Sequence, residues 1–218
     1  MKYLEKEELN LFLEAAREHG IENDYFTFIT LAYTGMRAGE LCALKWSDIN
    51  FEDQTVSITK TLYNPTNNLP KYKLLPPKTK RSKRTIHLDG FVLEELKKLK
   101  GIQNQVKMAH RDGFYDGDFI FTNYKKHLGY PEIIKTIERR MKSLLKKVEL
   151  NSKLTPHSLR HTHTSLLAEA GVSLEGIMDR LGHADDKTTK LVYMHVTKTI
   201  RKEASEKFSD LMKSVWSQ

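Results

Sequence analysis

The sequence is most informative first in what it lacks. It has one cysteine, Cys42, in 218 residues. An intramolecular disulfide and a cysteine-rich zinc site are therefore excluded, and a reducing compartment is the natural setting. No apolar run approaches the roughly 18 residues that a membrane-spanning helix needs. The opening MKYLEKEELN is charged and does not read as a secretory signal. Phosphate loops of the GxxxxGK[ST] type, GxGxxG turns and HExxH zinc motifs are all missing. Proline is scarce and clustered, with four of six (Pro65, Pro70, Pro76 and Pro77) inside residues 64–77. Internal repeats, low-complexity tracts and clear linkers are also absent.

What remains is a mixed composition, 39% apolar and 29% charged, which supplies a sizeable core. The length suits one large domain or two small ones. Net charge is +8 and unevenly spread. Residues 1–64 carry 6 basic and 11 acidic side chains, whereas residues 65–218 carry 30 and 17. A basic field of that size attracts polyanions and speeds their encounter, so nucleic acid is the first partner to consider. A basic protein kept soluble by its charge is the plainer alternative.

Helical patterns dominate. Leu9, Phe12, Leu13 and Ala16 share one face of a helix over 5–19 that Gly20 closes. Asp24 is placed to cap a helix over 24–34 ending at Thr34-Gly35, and 40–45 reads as a short helix. Residues 54–62 alternate as a strand, with Val56 and Ile58 on one side, and 84–88 form a second. Together they predict a small antiparallel sheet, with the proline-rich 64–77 as loop or sheet edge. Helices are expected over 90–109, over 131–149 with Pro131 as first residue, over 155–170 with Thr155-Pro156 as its start, over 173–181 closed by Gly182, and over 186–195 and 198–215.

Four stretches carry chemistry. In His157-Ser158-Leu159-Arg160 the histidine and arginine lie one helical turn apart, so both face one space at a helix start. Arginine offers a planar fork for phosphate oxygens and histidine exchanges a proton near neutral pH. The alternative is a capping histidine with a surface arginine. His157, His161 and His163 could hold a metal on paper, but Arg160 beside them opposes a cation. Tyr193 follows Leu181-Gly182-His183 by ten residues. A tyrosine needs nearby cations to act as a nucleophile; a core aromatic is the commoner fate. Arg37, in Thr34-Gly35-Met36-Arg37-Ala38-Gly39-Glu40, follows a glycine turn and can reach into a cleft, with Glu40 orienting the helix or pairing with a base. Finally, residues 71–84 hold seven basic residues and no acid. This is either a solvated loop or a hairpin turn on DNA phosphates.

Taken in order, TGMRAGEL, PKTKRSKRTIHL, HSLRHTHTSLL, LGH and KTTKLVYMHV resemble the tyrosine recombinases, or phage integrase family, over about residues 4–200. The likeness is greatest to integrases of bacterial phages and integrative conjugative elements. It implies a mixed α/β catalytic domain, mainly α-helical with a small antiparallel β-sheet, over 1–196, and a C-terminal helix over 197–218. That helix either packs on its own domain or docks on a neighbouring protomer through Ile200, Ala204, Phe208, Leu211, Met212, Val215 and Trp216. The resemblance also implies that core-binding and arm-binding domains usual in the family are missing ahead of this segment.

By the same resemblance Tyr193 is the nucleophile. Arg37 and Arg160 grip the scissile phosphate, His157 takes the tyrosine proton or bonds the phosphate, and His183 adds a hydrogen bond. A hairpin lysine protonates the leaving oxygen. Lys78, first in a Lys-Thr pair, is preferred over Lys80, which with Arg81, Lys83 and Arg84 becomes a DNA backbone contact. The implied reaction is site-specific integration or excision through a 3′-phosphotyrosyl link, with no metal and no other cofactor. The implied partners are double-stranded DNA, a homo-tetramer on synapsed DNA, and a directionality factor, in the bacterial cytoplasm. The competing readings are a topoisomerase of type IB, a non-catalytic DNA-binding regulator of the same fold, and a histidine-metal hydrolase.

Overall fold

The computed structural model describes residues 3–21, 23–77, 79–182 and 187–216. Its elements are α1 (Lys6–His19), α2 (Asp24–Thr34), α3 (Ala38–Cys42), β1 (Ile49–Asn50), β2 (Thr55–Ile58), β3 (Thr61–Tyr63), β4 (Lys73–Leu75), β5 (Arg84–His87), α4 (Gly90–Ala109), α5 (Ile134–Lys147), α6 (Pro156–Glu169), α7 (Leu174–Leu181) and α8 (Lys187–Trp216). Helices predominate and the strands are short and antiparallel, as the sequence pattern predicts.

The main core gathers Phe12 and Ala16 of α1, Phe28 and Leu31 of α2, Leu41 of α3, Val56, Ile58 and Ile86 of the sheet, Leu96 and Leu99 of α4, and Met141 and Leu145 of α5. Phe12 and Phe28 meet edge to face, with ring centroids 5.0 Å apart. A second, smaller cluster of Ala168, Ile177, Leu181 and Val196 joins α6, α7 and α8. The site described below lies where these two clusters meet, at Leu181 and the end of α2.

Several local expectations change in three dimensions. The single strand expected over 54–62 is two strands in different sheets. A three-stranded sheet has the order β1-β2-β5, and a separate two-stranded sheet pairs β3 with β4. In the first, Val56 pairs with Ile86 and Ile58 with Arg84, so the apolar partners share the buried face. Between β2 and β3, Lys60 bonds both carboxylate oxygens of Asp48 at 2.6 and 2.7 Å. The second sheet recruits Lys73–Leu75 from the proline-rich stretch. Its base is tied down by Tyr72, whose hydroxyl meets that of Tyr115 at 2.8 Å while Tyr115 stacks on Tyr130.

Pro131 does not begin a helix. It forms an isolated bridge with Thr122, and α5 starts at Ile134. The N-cap of α2 is Asn23, while the Asp24 carboxylate accepts from the Ile21 backbone N–H one turn earlier. The helices expected over 186–195 and 198–215 are one helix of 30 residues, α8. No glycine or proline interrupts it, and Thr197 turns its hydroxyl back to the Tyr193 carbonyl at 2.9 Å. Thr189, Val192 and Val196 bury its first half. Beyond them Phe208, Leu211 and Val215 are 64%, 61% and 59% exposed. The side chain of Trp216 lies outside the described residues.

Candidate active site

The site is assembled from helix ends. Helix α2 closes on Gly35 and α7 closes on Gly182, both in the left-handed region (φ 62° and 70°), as their positions after Thr34 and Leu181 predict. At Gly35 a second constraint acts. A β-carbon there would lie 2.6 Å from His163 Cδ2 and 2.7 Å from Leu181 Cδ2. At Gly182 a β-carbon would lie 3.0 Å from the Arg81 carbonyl oxygen and from Arg84 Cδ. These close approaches bring α2, α6, α7 and the turn before β5 together.

Arg160 lies at this junction and is 2% exposed. One terminal nitrogen donates to the Gly35 carbonyl and the other to the Leu181 carbonyl, each at 2.6 Å. These carbonyls terminate α2 and α7, where helix dipoles place partial negative charge, so two helix ends compensate the buried cation. The helix that carries it, α6, has Thr155 and Ser158 in a reciprocal capping box and proline in its first position.

Arg37 precedes α3 in extended backbone and keeps 39% of its side chain exposed. Its guanidinium bonds Glu40 at 2.9 Å, and its backbone N–H donates to the other Glu40 oxygen at 3.0 Å. Glu40 is 3% exposed and also receives Arg84 at 2.9 and 3.3 Å. Burial alone would raise the Glu40 carboxyl, but the hydrogen bonds and charge of Arg84, with those of Arg37, outweigh it and hold the group below its ordinary range. Arg84 reaches on to the Arg180 carbonyl at 2.9 Å. A continuous chain thus runs from Arg37 through Glu40 and Arg84 to the end of α7, one peptide before the carbonyl that holds Arg160.

Arg84, expected on the DNA backbone, instead turns its side chain into the protein. Its side chain is 5% exposed and fully committed to Glu40 and main-chain carbonyls. The sequence suggests a contact because it shows a basic run; only the fold supplies the buried carboxylate opposite. Arg81 and Lys83, by contrast, are exposed on the turn. Lys78 and His183, and the side chain of Lys80, lie outside the described residues.

His157 is exposed at the start of α6, with its ring edge to face against His161 at 4.7 Å. His163 points elsewhere. Nδ1 is 2.8 Å from the Ala32 carbonyl and Nε2 is 3.2 Å from Arg180 Nε, so the three histidines do not share one metal site. Burial, and then the charge of Arg180, lower the His163 pKa to about 4. Tyr193 is half-buried on α8 against the second apolar cluster. Leu181, whose carbonyl holds Arg160, belongs to the same cluster. The sequence pattern did not reveal Arg180 and His163 as partners. They are 17 residues apart, and the only hint is that His163 lies one turn beyond Arg160 on the same face.

Helices around short antiparallel sheets, in this order, define the catalytic-domain fold of the tyrosine recombinases. The sequence profile of the Phage integrase family matches residues 2–199, and the chain belongs to that family. It is 38% identical over 181 residues to the integrase of Staphylococcus phage L54a, spanning 83% of this chain and 50% of that protein. It is 30% identical over 220 residues to the ICEBs1 integrase of Bacillus subtilis, spanning 97% of this chain and 55% of that protein. The chain thus spans about half the length of these curated relatives. Among solved structures it superposes on the Tn1549 transposon integrase in complex with transposon right end DNA, with a TM-score of 0.75 at 22% identity over 94% of this chain and 66% of the other. On the XerA recombinase the TM-score is 0.70 at 25% identity, over 95% and 64% of the two chains. No helix among the described residues is long and apolar enough to cross a membrane.

Proposed function

We propose that this chain is the catalytic part of a site-specific recombinase that cuts and rejoins double-stranded DNA through a covalent tyrosine link. The observation that supports this best is the pair of arginines. Arg160 is held rigidly by two helix-end carbonyls, and Arg37 is held by Glu40 with part of its fork open to solvent. Phosphoryl transfer needs positioned positive charge more than covalent help from the protein, and prearranged cations supply it without reorganisation.

In this reading the Tyr193 hydroxyl attacks the scissile phosphorus and the bond to the 5′-oxygen breaks. The tyrosine proton passes to His157. The leaving 5′-oxygen takes a proton from Lys78 and departs as a hydroxyl. Arg37 and Arg160 stabilise the charge on the non-bridging oxygens, and His183 adds a hydrogen bond. The 5′-hydroxyl of a second strand then attacks the 3′-phosphotyrosyl link and releases Tyr193. One phosphodiester is lost and one regained, so no nucleotide cofactor is required. Arg81 and Lys83 would contact DNA phosphates from the turn. The exposed Phe208, Leu211 and Val215 face of α8 would dock on a neighbouring protomer in a synaptic tetramer on DNA. Synapsis that survives deletion of residues after Lys198 would count against that docking. The setting would be the bacterial cytoplasm, with a directionality factor choosing between integration and excision.

Covalent capture tests the reading. The protein is mixed, in chelator, with nicked duplexes from the ends of its own element and run on a denaturing gel beside Tyr193→Phe. A DNA-linked band in the wild type that vanishes in the variant is expected. A band that persists in Tyr193→Phe would refute the nucleophile. No band, but retained DNA binding, would favour a regulator of the same fold.

A further inference from the structure

We propose that Arg180 and His163 form a positioning clamp that fixes the end of α7, and through it the phosphate-gripping Arg160, without touching DNA. The idea rests on the recombinase reading for its link to chemistry, but the clamp itself is a feature of this fold.

Arg180 spends its fork on three elements at once. Nε donates to His163 Nε2 on α6 at 3.2 Å, and one terminal nitrogen donates to the Tyr33 carbonyl of α2 and the His87 carbonyl of β5, each at 3.2 Å. Its own carbonyl accepts from Arg84 at 2.9 Å. Both faces of residue 180 are thus held, the side chain by α2, α6 and β5 and the backbone by the Arg84–Glu40–Arg37 chain. The next carbonyl, Leu181, is the one that holds Arg160. Gly182 follows, and His183 comes directly after it in sequence.

His163 gives the clamp a defined polarity. The Ala32 carbonyl can only accept, so Nδ1 carries the proton; arginine can only donate, so Nε2 must be the bare nitrogen. Only the neutral imidazole with its proton on Nδ1 fits. A doubly protonated ring would set a donor against a donor and a cation against Arg180, with Arg160 on the same helix adding to the repulsion. The three acceptors of Arg180, two carbonyls and one imidazole nitrogen, belong to three different elements, which suits the planar guanidinium and not the single point charge of a lysine. The outer side of Arg180 lines a groove of about 760 Å³ between α1, α2 and α6, beside Leu13, Tyr33 and Leu166. A shortened side chain there opens onto solvent rather than leaving a sealed void, so the substituted protein is expected to fold.

The test compares wild type, Arg180→Ala, Arg180→Lys and His163→Gln by two readouts. The first is amide hydrogen exchange, which needs no DNA. In Arg180→Ala the amides of Leu181 and Gly182 are expected to exchange at least roughly tenfold faster, while those in the middle of α2 stay protected. Unchanged exchange at 181–182 would overturn the clamp whether or not the chain cleaves DNA. The second is the single-turnover rate of covalent capture at saturating protein, read against DNA affinity. Arg180→Ala is expected to lose roughly 10- to 100-fold in rate with affinity changed less than about threefold, as misplacement of a catalytic group does. Arg180→Lys should not restore the rate, because charge alone cannot reach three acceptors. His163→Gln, whose amide can both donate and accept, should retain most of it. Full rescue by lysine, or faster exchange with an unchanged rate, would overturn the positioning role. A wild type that gives no adduct would instead refute the recombinase reading, and the exchange result would still decide the clamp.

Discussion

Replacing Glu40 by alanine should be among the most damaging single changes outside the apolar core. The carboxylate is 3% exposed and receives Arg84 on both oxygens, the Arg37 guanidinium and the Arg37 backbone N–H. Its removal strands Arg84, itself 5% exposed, as a buried cation without its counterion. Breaking one partner of a buried pair costs about 3–5 kcal/mol, since the remaining charge loses its compensation while still desolvated. For a domain of this size each kcal/mol lowers Tm by about 2–4 °C, so a fall of roughly 6–20 °C is expected. Urea unfolding at pH 7 measures the loss directly. The double variant Glu40→Ala with Arg84→Met should recover much of it, because an apolar side chain does not need the missing anion. A loss below about 1 kcal/mol for Glu40→Ala would mean that water screens the pair as it does on a surface, and the reasoning would fail.

Two further outcomes follow from the same network. His163 has a pKa near 4 in the fold against 6.5 for the free side chain, so the unfolded chain binds the extra proton first. Its contribution, about 3 kcal/mol by linkage, is complete above pH 6.5 and is lost as pH falls from 6.5 towards 4. Unfolding of wild type and His163→Gln at pH 7 and pH 4.5 should show a steeper acid loss in the wild type, and parallel curves would refute the buried neutral imidazole. Gly35→Ala should cost roughly 2–4 kcal/mol, part from a left-handed backbone and part from the β-carbon forced against His163 and Leu181; a urea midpoint within error of wild type would show that the helix end relaxes freely.

Much of the architecture was legible in local signals. Helix ends at Gly35, Gly171 and Gly182 all adopt positive φ, and Thr155-Pro156 begins α6 as the capping residues require. The misreadings share one cause. Pro131 looked like a helix start because proline favours the first turn, but it equally suits a sheet edge, and pairing with Thr122 decided the matter. The alternation through 54–62 could not show that the strand would divide, because β2 pairs with β5 and β3 with β4, partners that lie further along the chain.

For the candidate site the division is similar. The order of the motifs, the glycine turns and the apolar periodicities are properties of the chain itself, and they place Arg37, His157, Arg160 and Tyr193 on the starts and faces of particular helices. Which of the many cations would be buried is a different kind of question. Arg81, Lys83 and Arg84 are alike in sequence, yet among these three Arg84 is the one that meets Glu40, and Arg180 meets His163, Tyr33 and His87. A long polar side chain is satisfied by whatever acceptors the packed elements bring within about 3 Å, and those come from segments distant in the chain. Local sequence thus determined the helices and their ends, while tertiary structure alone decided which charges became internal struts and which stayed open to solvent.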